Sequence, residues 1–314
     1  LALYRAGSTP TEGPYKDHVS RGIEYVIGQI EASDTDSLYV TDVRGTRVQS
    51  KIGTYVDTFL ANLMLAELKG TMSTPQANKK LELALNKVVT KIENHQNESG
   101  GWDNKGWAPV LTQSIAAKGL NRARQAGVDV DDKVLDQAQN FAANQVDPIT
   151  GKVRAEGAAG VSLYAVSANV ASMQERANTN EREEKDYRDK AQNAPTVEER
   201  QEAQKKLDRI AKDREANKAA NESTVAQLKD PSFVSGFGSN GGEEFLSYMN
   251  ISEALVAKGG PEWQQWDQAM NQNLSRIQNP DGSWSGHHCI TGKTFCTATA
   301  LLVMTADRVT LAKL

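Results

Sequence analysis

The sequence predicts an all-α protein built from about five helical hairpins. Three observations lead to this prediction: a short phrase occurs twice, apolar residues recur at helical spacing through most of the chain, and residues 176–230 form a long charged segment. Residues three and four positions apart lie on one face of a helix, so such spacing indicates helices with one buried side. We therefore expect a single domain over residues 1–314, in which helices pack in antiparallel pairs.

The repeated phrase predicts a turn that ends one helix and precedes the next. Glycine permits a tight backbone, aspartate can bind the free amides of a turn, and tryptophan can cover apolar surface on the neighbouring hairpin. We therefore interpret the phrase as a structural repeat. Its main residues are Gln96, Gly101 and Trp102 in the first copy, and Gln278, Asp281, Gly282 and Trp284 in the second.

Apolar periodicity and turn signals then predict the helices in order. The last helix is small and apolar almost all round, which is typical of a buried helix. A further turn, near Gly151, keeps a Gln and a Gly but lacks the Trp. The predicted helices are 15–32, 53–69, 77–96, 108–125, 132–146, 158–175, 243–258, 262–278 and 293–311.

The charged segment 176–230 predicts an inserted helical hairpin. Pro195 interrupts the segment, and Thr196 with Glu199 has the spacing of a capping box that starts a new helix. Arms of roughly 20 residues would extend about 30 Å. Two interpretations stay open: a solvated helix pair held by ion pairs four residues apart, or a docking arm that offers a rigid face to a partner.

The two phrases and the segment from Gly292 to Leu302 resemble the prenyltransferase and squalene-oxidase repeat. That repeat is found in squalene-hopene cyclases and in the β subunits of protein prenyltransferases. The resemblance implies an α/α toroid, in which outer helices surround inner helices and a central cavity. Five hairpins are fewer than the six or seven common in the family, which implies an open or incomplete ring.

The same resemblance raises the question of a catalytic acid. Squalene-type cyclases protonate an alkene with an Asp-x-Asp-Asp element, which Asp129, Asp131 and Asp132 match literally. However, these residues precede an outer helix, where acidic side chains cap amides, and Lys133 favours ionised carboxylates over the required acid. We interpret them as a helix cap, with a general acid at Asp131 or Asp132 as the alternative.

The resemblance also raises the question of zinc. Protein prenyltransferases bind zinc with an Asp, a Cys and a His, but Thr294 stands where this His is expected near Cys296, so that site is interpreted as lost. A zinc centre made by His287, His288, Cys289 and Cys296 is a further alternative, although the spacing matches no common motif. We favour a Cys289–Cys296 disulfide over metal, with two free thiols as the remaining interpretation. No cofactor is expected.

Composition and charge narrow the classes of partner. The chain has 36 basic and 40 acidic residues, so it lacks the positive surface that binds nucleic acid. No apolar run approaches the roughly 20 residues of a transmembrane helix. Because the chain begins at Leu1 rather than Met, we expect a processed product that is periplasmic or secreted, with the cytoplasm as the alternative.

The sequence therefore predicts a binding or assembly protein on a toroid scaffold that has lost the catalytic acid and metal of the related enzymes. We expect a partner protein or peptide at the central cavity or at the 176–230 hairpin, with an apolar ligand as another occupant. The first alternative is a terpenoid cyclase-like or prenyltransferase-like enzyme, and the second is a zinc protein centred on Cys296.

Overall fold

The computed structural model describes residues 1–102, 105–147, 149–238 and 240–309. Over these residues the chain is helical and contains no β-strand, which confirms the predicted all-α class. Short 3-10 helices cover Glu156–Ala158 and Ala306–Arg308. The α-helices are α1 (Ala2–Arg5), α2 (Lys16–Ala32), α3 (Arg47–Ile52), α4 (Val56–Leu68), α5 (Pro75–Asn94), α6 (Val110–Gln125), α7 (Asp132–Ala143), α8 (Ser162–Asn193), α9 (Val197–Gln227), α10 (Pro231–Val234), α11 (Gly242–Lys258), α12 (Pro261–Ile277) and α13 (Lys293–Met304).

Amphipathic helices lie outside a set of central helices. Helices α2, α5, α7 and α12 each bury one face, as α2 does with Ile23, Ile27 and Ile30. By contrast, every residue from Leu111 to Ala123 in α6 is buried, and α11 is buried in the same way over most of its length. Helix α5 packs against α4 and α6, α7 against α6 and α8, and α12 against α11 and α13. Each of these three outer helices therefore covers two successive central helices.

The central helices contact one another in chain order. Helix α4 packs on α6, α6 on α8, α8 on α11, and α11 on α13, while the short α1 packs on α13. Short connections between antiparallel helices produce such neighbours, because each hairpin can bury its apolar surface only against the next one. The helical hairpins expected from the sequence are therefore present.

The charged hairpin differs from its prediction at its first boundary. A helix break was expected near residue 176, but α8 continues without interruption from Ser162 to Asn193. The segment contains no Gly or Pro, so the change from apolar to charged composition alters the surroundings of the helix and not its backbone. Helix α9 begins after Thr196, whose side chain accepts from Glu199 N at 3.1 Å, while Glu199 accepts from Thr196 N at 3.1 Å. The hairpin is thus an extension of a central helix and its antiparallel neighbour.

The last helix also differs from its prediction. It was expected over residues 293–311, but α13 ends at Met304 and a 3-10 turn follows it. Residues 310 and 311 lie outside the described residues.

The two copies of the repeated phrase form the same turn. Asn97 N donates to Gly101 O at 2.9 Å, and Asn279 N donates to Ser283 O at 2.8 Å. The indole of Trp102 donates to Ile92 O at 2.8 Å, and that of Trp284 donates to Leu274 O at 2.9 Å. In both copies the indole therefore binds a carbonyl ten residues earlier, in the preceding helix.

Glycine is required at the tip of the first of these turns. Gly100 has a φ of 87°, and a Cβ there would lie 2.2 Å from the carbonyl oxygen of Gln137 in α7. The turn near Gly151 differs, because Asp147 N donates to Lys152 O and the loop is one residue longer. The two turns with the full phrase therefore share one hydrogen-bond pattern, and the turn that lacks the Trp has a different one.

In the part of the chain that the structure describes, no helix has the length and apolar character to span a lipid bilayer.

We predict that Trp102→Phe and Trp284→Phe each lower the free energy of unfolding by about 1–3 kcal/mol, because each change removes buried ring surface and the hydrogen bond from the indole to a carbonyl of the preceding helix. Urea denaturation followed by circular dichroism measures this loss. Tyr25→Phe serves as the control, since Tyr25 is 64% exposed and should change stability little. A loss at only one of the two tryptophans would contradict their structural equivalence.

Candidate functional site

Six charged side chains meet between the central helices, and we call them the central charge cluster. The Arg5 guanidinium lies 3.0 Å from Glu67 and 2.6 Å from Glu253, and Arg122 lies 3.0 Å from Glu175 and 2.7 Å from Glu253. Arg122 also binds Glu67, and Lys118 contacts Glu253. No side chain in these pairs is more than 5% exposed. The members are Arg5 (α1), Glu67 (α4), Lys118 and Arg122 (α6), Glu175 (α8) and Glu253 (α11).

Opposite charges balance within the cluster. Burial alone would raise the pKa of Glu253, but Arg5, Lys118 and Arg122 hold that pKa well below its ordinary value. The pKa of Glu67 is likewise lowered, because Arg5 and Arg122 outweigh the effect of burial. Three cations therefore face three anions in a region from which solvent is excluded, which is the condition under which buried charges are tolerated.

Uncharged polar side chains continue from the cluster along the central helices. Asn62 in α4 and Ser247 and Asn250 in α11 are each completely buried. Gly119 in α6 allows Asn62 to approach, since a Cβ on this glycine would lie 2.7 Å from the Asn62 amide nitrogen. Buried polar side chains of α4 and α11 therefore accompany the central charge cluster within a core that also contains many apolar side chains.

A second buried acidic group lies at the N-terminal end of α11. Glu244 accepts from Phe237 N at 3.0 Å, from Gly241 N at 2.9 Å and from the Tyr164 hydroxyl, and it therefore fixes the loop that precedes the helix. Glu243 accepts from Ile290 N at 3.2 Å, and burial raises its pKa. This group was not identified from the sequence. Two adjacent acidic residues directly after a glycine-rich loop, at the start of a predicted helix, were the available signal.

The aspartates of the Asp-x-Asp-Asp element lie at the start of the outer helix α7. Asp131 is the N-cap of α7 and accepts from Lys133 N at 2.8 Å. Asp132 lies 3.2 Å from Arg124 and 3.0 Å from Lys206 of α9. Neither carboxylate belongs to the central charge cluster. Asp131 caps the helix, and Asp132 belongs to a surface ion pair.

The histidines and cysteines of the last turn do not form a metal centre in the structure. Cys289 and Cys296 are free thiols, and Cys296 is buried with its Sγ 3.5 Å from Ile290 O. Over the described residues, no three His, Cys, Asp or Glu side chains are arranged to hold a metal ion. The zinc alternative for His287, His288, Cys289 and Cys296 therefore has no ligand set there. The disulfide stays a prediction of the sequence and is not a feature of this structure.

The charged hairpin forms a surface cleft of about 520 Å³ with the end of α11. We call it the hairpin cleft. Its walls are Gln174, Ala177, Asn180, Glu181 and Glu184 of α8, Ile210, Arg214, Asn217, Lys218, Asn221 and Glu222 of α9, and Ala257 and Lys258 of α11.

The base of the hairpin is held firmly against the helical body. Arg209 donates to Asn140 Oδ1 of α7 at 2.7 Å, and Arg176 lies 2.6 Å from Asp136 of the same helix. Buried amides join the two arms, because Asn221 donates to Gln174 Oε1 at 3.0 Å. The hairpin cleft therefore has fixed walls, unlike a cleft between two freely solvated arms.

Comparisons with known proteins do not place the chain in a family. No family model matches it, and no curated protein matches it either.

We predict that Arg122→Met and Glu253→Gln each lower the free energy of unfolding by about 3–5 kcal/mol, because each leaves buried charges without partners. Urea denaturation provides the measurement. Glu202→Gln is the matched control, since this carboxylate belongs to an exposed pair with Lys205 and should contribute less than about 1 kcal/mol. If Glu253→Gln were as mild as Glu202→Gln, the cluster would not be a dehydrated network.

Proposed function

We propose that the protein is a non-catalytic binding or assembly protein, built on a toroid scaffold of the squalene-cyclase and prenyltransferase kind, which binds a partner protein through the hairpin cleft. The observation that carries this proposal is the central charge cluster. It occupies the region between the central helices, where the related enzymes enclose their substrates.

Two features support the toroid scaffold. The central helices contact each other in chain order from α4 to α13, as they would around a ring. Arg5 of α1 then pairs with Glu67 of α4 and Glu253 of α11, and α1 packs on α13. Helix α1 thus lies where a ring of helices would be completed.

The surroundings of the predicted acid give little support to the enzyme alternative. A cyclase needs a carboxylic acid beside its substrate, whereas Asp132 is engaged in ion pairs with the guanidinium of Arg124 at 3.2 Å and the ammonium of Lys206 at 3.0 Å. The cavity lined by Trp102, Phe141 and Ala165 has a volume of about 20 Å³, too small for an apolar ligand.

The hairpin cleft suits a partner better than any central position. It is open to solvent, and residues from three helices fix its walls. A helical hairpin of this kind presents a rigid, extended face, so a partner would bind without the cost of ordering a flexible segment. We also propose an exported location, which detection in the periplasmic or medium fraction would support and confinement to the cytoplasm would contradict.

Affinity capture from the native cells tests the proposal, with the purified wild-type chain as bait. Ala177→Trp places an indole in the hairpin cleft, and we expect it to reduce the recovered partner at least tenfold, because the cleft is then filled. Circular dichroism and a thermal melt establish that this variant is folded.

Ala219→Trp is the matched control. Ala219 is exposed on α9 and does not line the cleft, so this variant should recover the same partner as the wild type. Equal recovery by the folded Ala177→Trp variant, or no protein recovered in stoichiometric amount by the wild type, would contradict the proposed function.

A further inference from the structure

We propose that a second surface of the protein, near the start of α11, binds an acidic peptide segment of a partner protein that also carries an apolar side chain. We call it the basic aromatic surface. Its members are Arg47 and Lys51 of α3, Lys105 and Trp107 before α6, Phe237 before α11, and His288 before α13. This inference goes beyond the proposed function, which concerns a different surface.

The basic aromatic surface and the hairpin cleft lie at opposite ends of α11. Phe237 N donates to Glu244 Oε1 in the first turn of this helix, whereas Ala257 and Lys258 of the last turn line the cleft. At 1.5 Å per residue the two ends are roughly 24 Å apart. A change at one surface can therefore be tested without altering the other.

Three rings form a continuous row on this surface. The ring centroids of Trp107 and Phe237 are 5.2 Å apart with their planes at 81°, and those of Phe237 and His288 are 5.4 Å apart with their planes at 68°. Such edge-to-face contacts are favourable and hold the rings in place. Phe237 is nevertheless 56% exposed. The surface therefore presents a fixed apolar group to solvent, which is typical of an interaction site.

Three cations accompany these rings. The Lys51 Nζ lies 5.0 Å from the centroid of the Trp107 ring, and Arg47 Nε donates to Cys289 O at 2.8 Å. Lys105 is exposed two residues before Trp107. Within the described part of the chain, none of the three cations has an ion pair with a carboxylate.

The Cys289 thiol shows that two of these cations converge. Burial and Glu243 raise the pKa of Cys289, whereas Lys51 and Arg47 act on that pKa in the opposite direction. Charges influence a pKa in this way only when they lie close to the group. Lys51 and Arg47 therefore approach the same point, directly after His288 in the chain.

Two carboxylates near this surface do not present their charge to solvent. Glu243 and Glu244 are both completely buried. Glu244 accepts from Phe237 N and Gly241 N, so its charge holds the loop in place. Burial raises the pKa of Glu243, which favours its neutral form. The charges that a partner meets at the members of the surface are therefore positive.

An acidic segment with an apolar side chain matches both features. Carboxylates form charge-assisted hydrogen bonds with Arg and Lys side chains, and Arg47 and Lys51 have no carboxylate of their own to release first. An apolar side chain of the partner would pack on Phe237 beside Trp107. Tryptophan and arginine are also the residues that contribute most often to the binding energy of interfaces.

Other classes of partner fit this surface less well. A basic peptide or an amine would be repelled by three cations. A nucleic acid is commonly held by about 6–10 phosphate contacts, more than three cations supply. The acidic peptide segment is therefore the occupant that we infer.

NMR titration of the nitrogen-15-labelled full chain tests the inference with a defined probe, the capped peptide Glu-Asp-Phe-Glu-Asp. The control peptide is Gln-Asn-Phe-Gln-Asn, which has the same shape without charge. We expect saturable binding of the acidic peptide, a shift of the Trp107 indole resonance, and binding of the neutral peptide at least about tenfold weaker, because the carboxylates supply the pairing.

Charge variants assign the binding to this surface. Arg47→Gln with Lys51→Gln should raise the dissociation constant of the acidic peptide about tenfold. Lys16→Gln with Arg21→Gln is the matched control. It removes the same charge from exposed positions of α2 and should change the constant less than about twofold, because salt screens charges beyond about 8 Å.

A second pair of variants tests the apolar contact. Phe237→Ser removes the exposed ring and should raise the dissociation constant about fivefold, since the partner side chain loses its contact. Tyr25→Ser removes a ring that is 64% exposed on α2 and should leave the constant unchanged. Circular dichroism and a thermal melt establish that all four variants are folded.

Several results would overturn the inference: no binding of the acidic peptide, equal binding of the neutral peptide, or an unchanged affinity in the Arg47/Lys51 variant. Tighter binding of a single-stranded oligonucleotide at the Trp107 resonance would do so too, as would self-association of the chain that is lost in the Arg47/Lys51 variant. Ala177→Trp should leave peptide binding unchanged. If that variant loses the captured partner while the acidic peptide does not bind the wild type, the proposed function stands and only this inference fails.

Discussion

The buried ion pairs of the central charge cluster are the constraint on which the packing of the helices depends. Arg5 and Glu253 are 248 positions apart in the chain, yet they meet at 2.6 Å in a region closed to solvent. An unpaired charge in such a region costs several kcal/mol, so α1, α4, α6, α8 and α11 are stable together only when their charged side chains meet at the same position along the helices. Apolar packing alone would tolerate a shift of one helix along another far more readily.

The central charge cluster and the hairpin cleft share one helix. Charged side chains from five helices meet in the cluster, whereas the recognition that we propose takes place at the surface. Helix α8 connects the two regions: Glu175 belongs to the cluster, and Asn180 and Glu181 line the hairpin cleft little more than one turn later. Gln125 of α6 bonds both Glu175 and Thr179 at this transition, which anchors the base of the cleft to the packed centre.

The sequence predicted what depends on local patterns. Helix periodicity placed most central and outer helices within a few residues, the Thr196 capping box placed the start of α9, and the repeated phrase placed two turns with the same hydrogen bonds. It did not predict the cluster, because six charged residues spread over the chain have no periodicity that links them. It also misplaced the start of the hairpin, since α8 crosses from apolar to charged surroundings without a helix-breaking residue.

The carboxyl groups of Glu67 and Glu253 provide the most direct test of the central claim. In the folded chain the pKa of each is held below its ordinary value of 4.5 by the neighbouring cations. Carbon-13 NMR of labelled protein, titrated from pH 7 to pH 3.5 (about one unit below that value), follows each carboxyl directly. The account predicts that both resonances stay at the ionised position while the chain remains folded. Midpoints near 4.5 for both groups would show that they titrate in contact with water, and would contradict a dehydrated cluster of ion pairs.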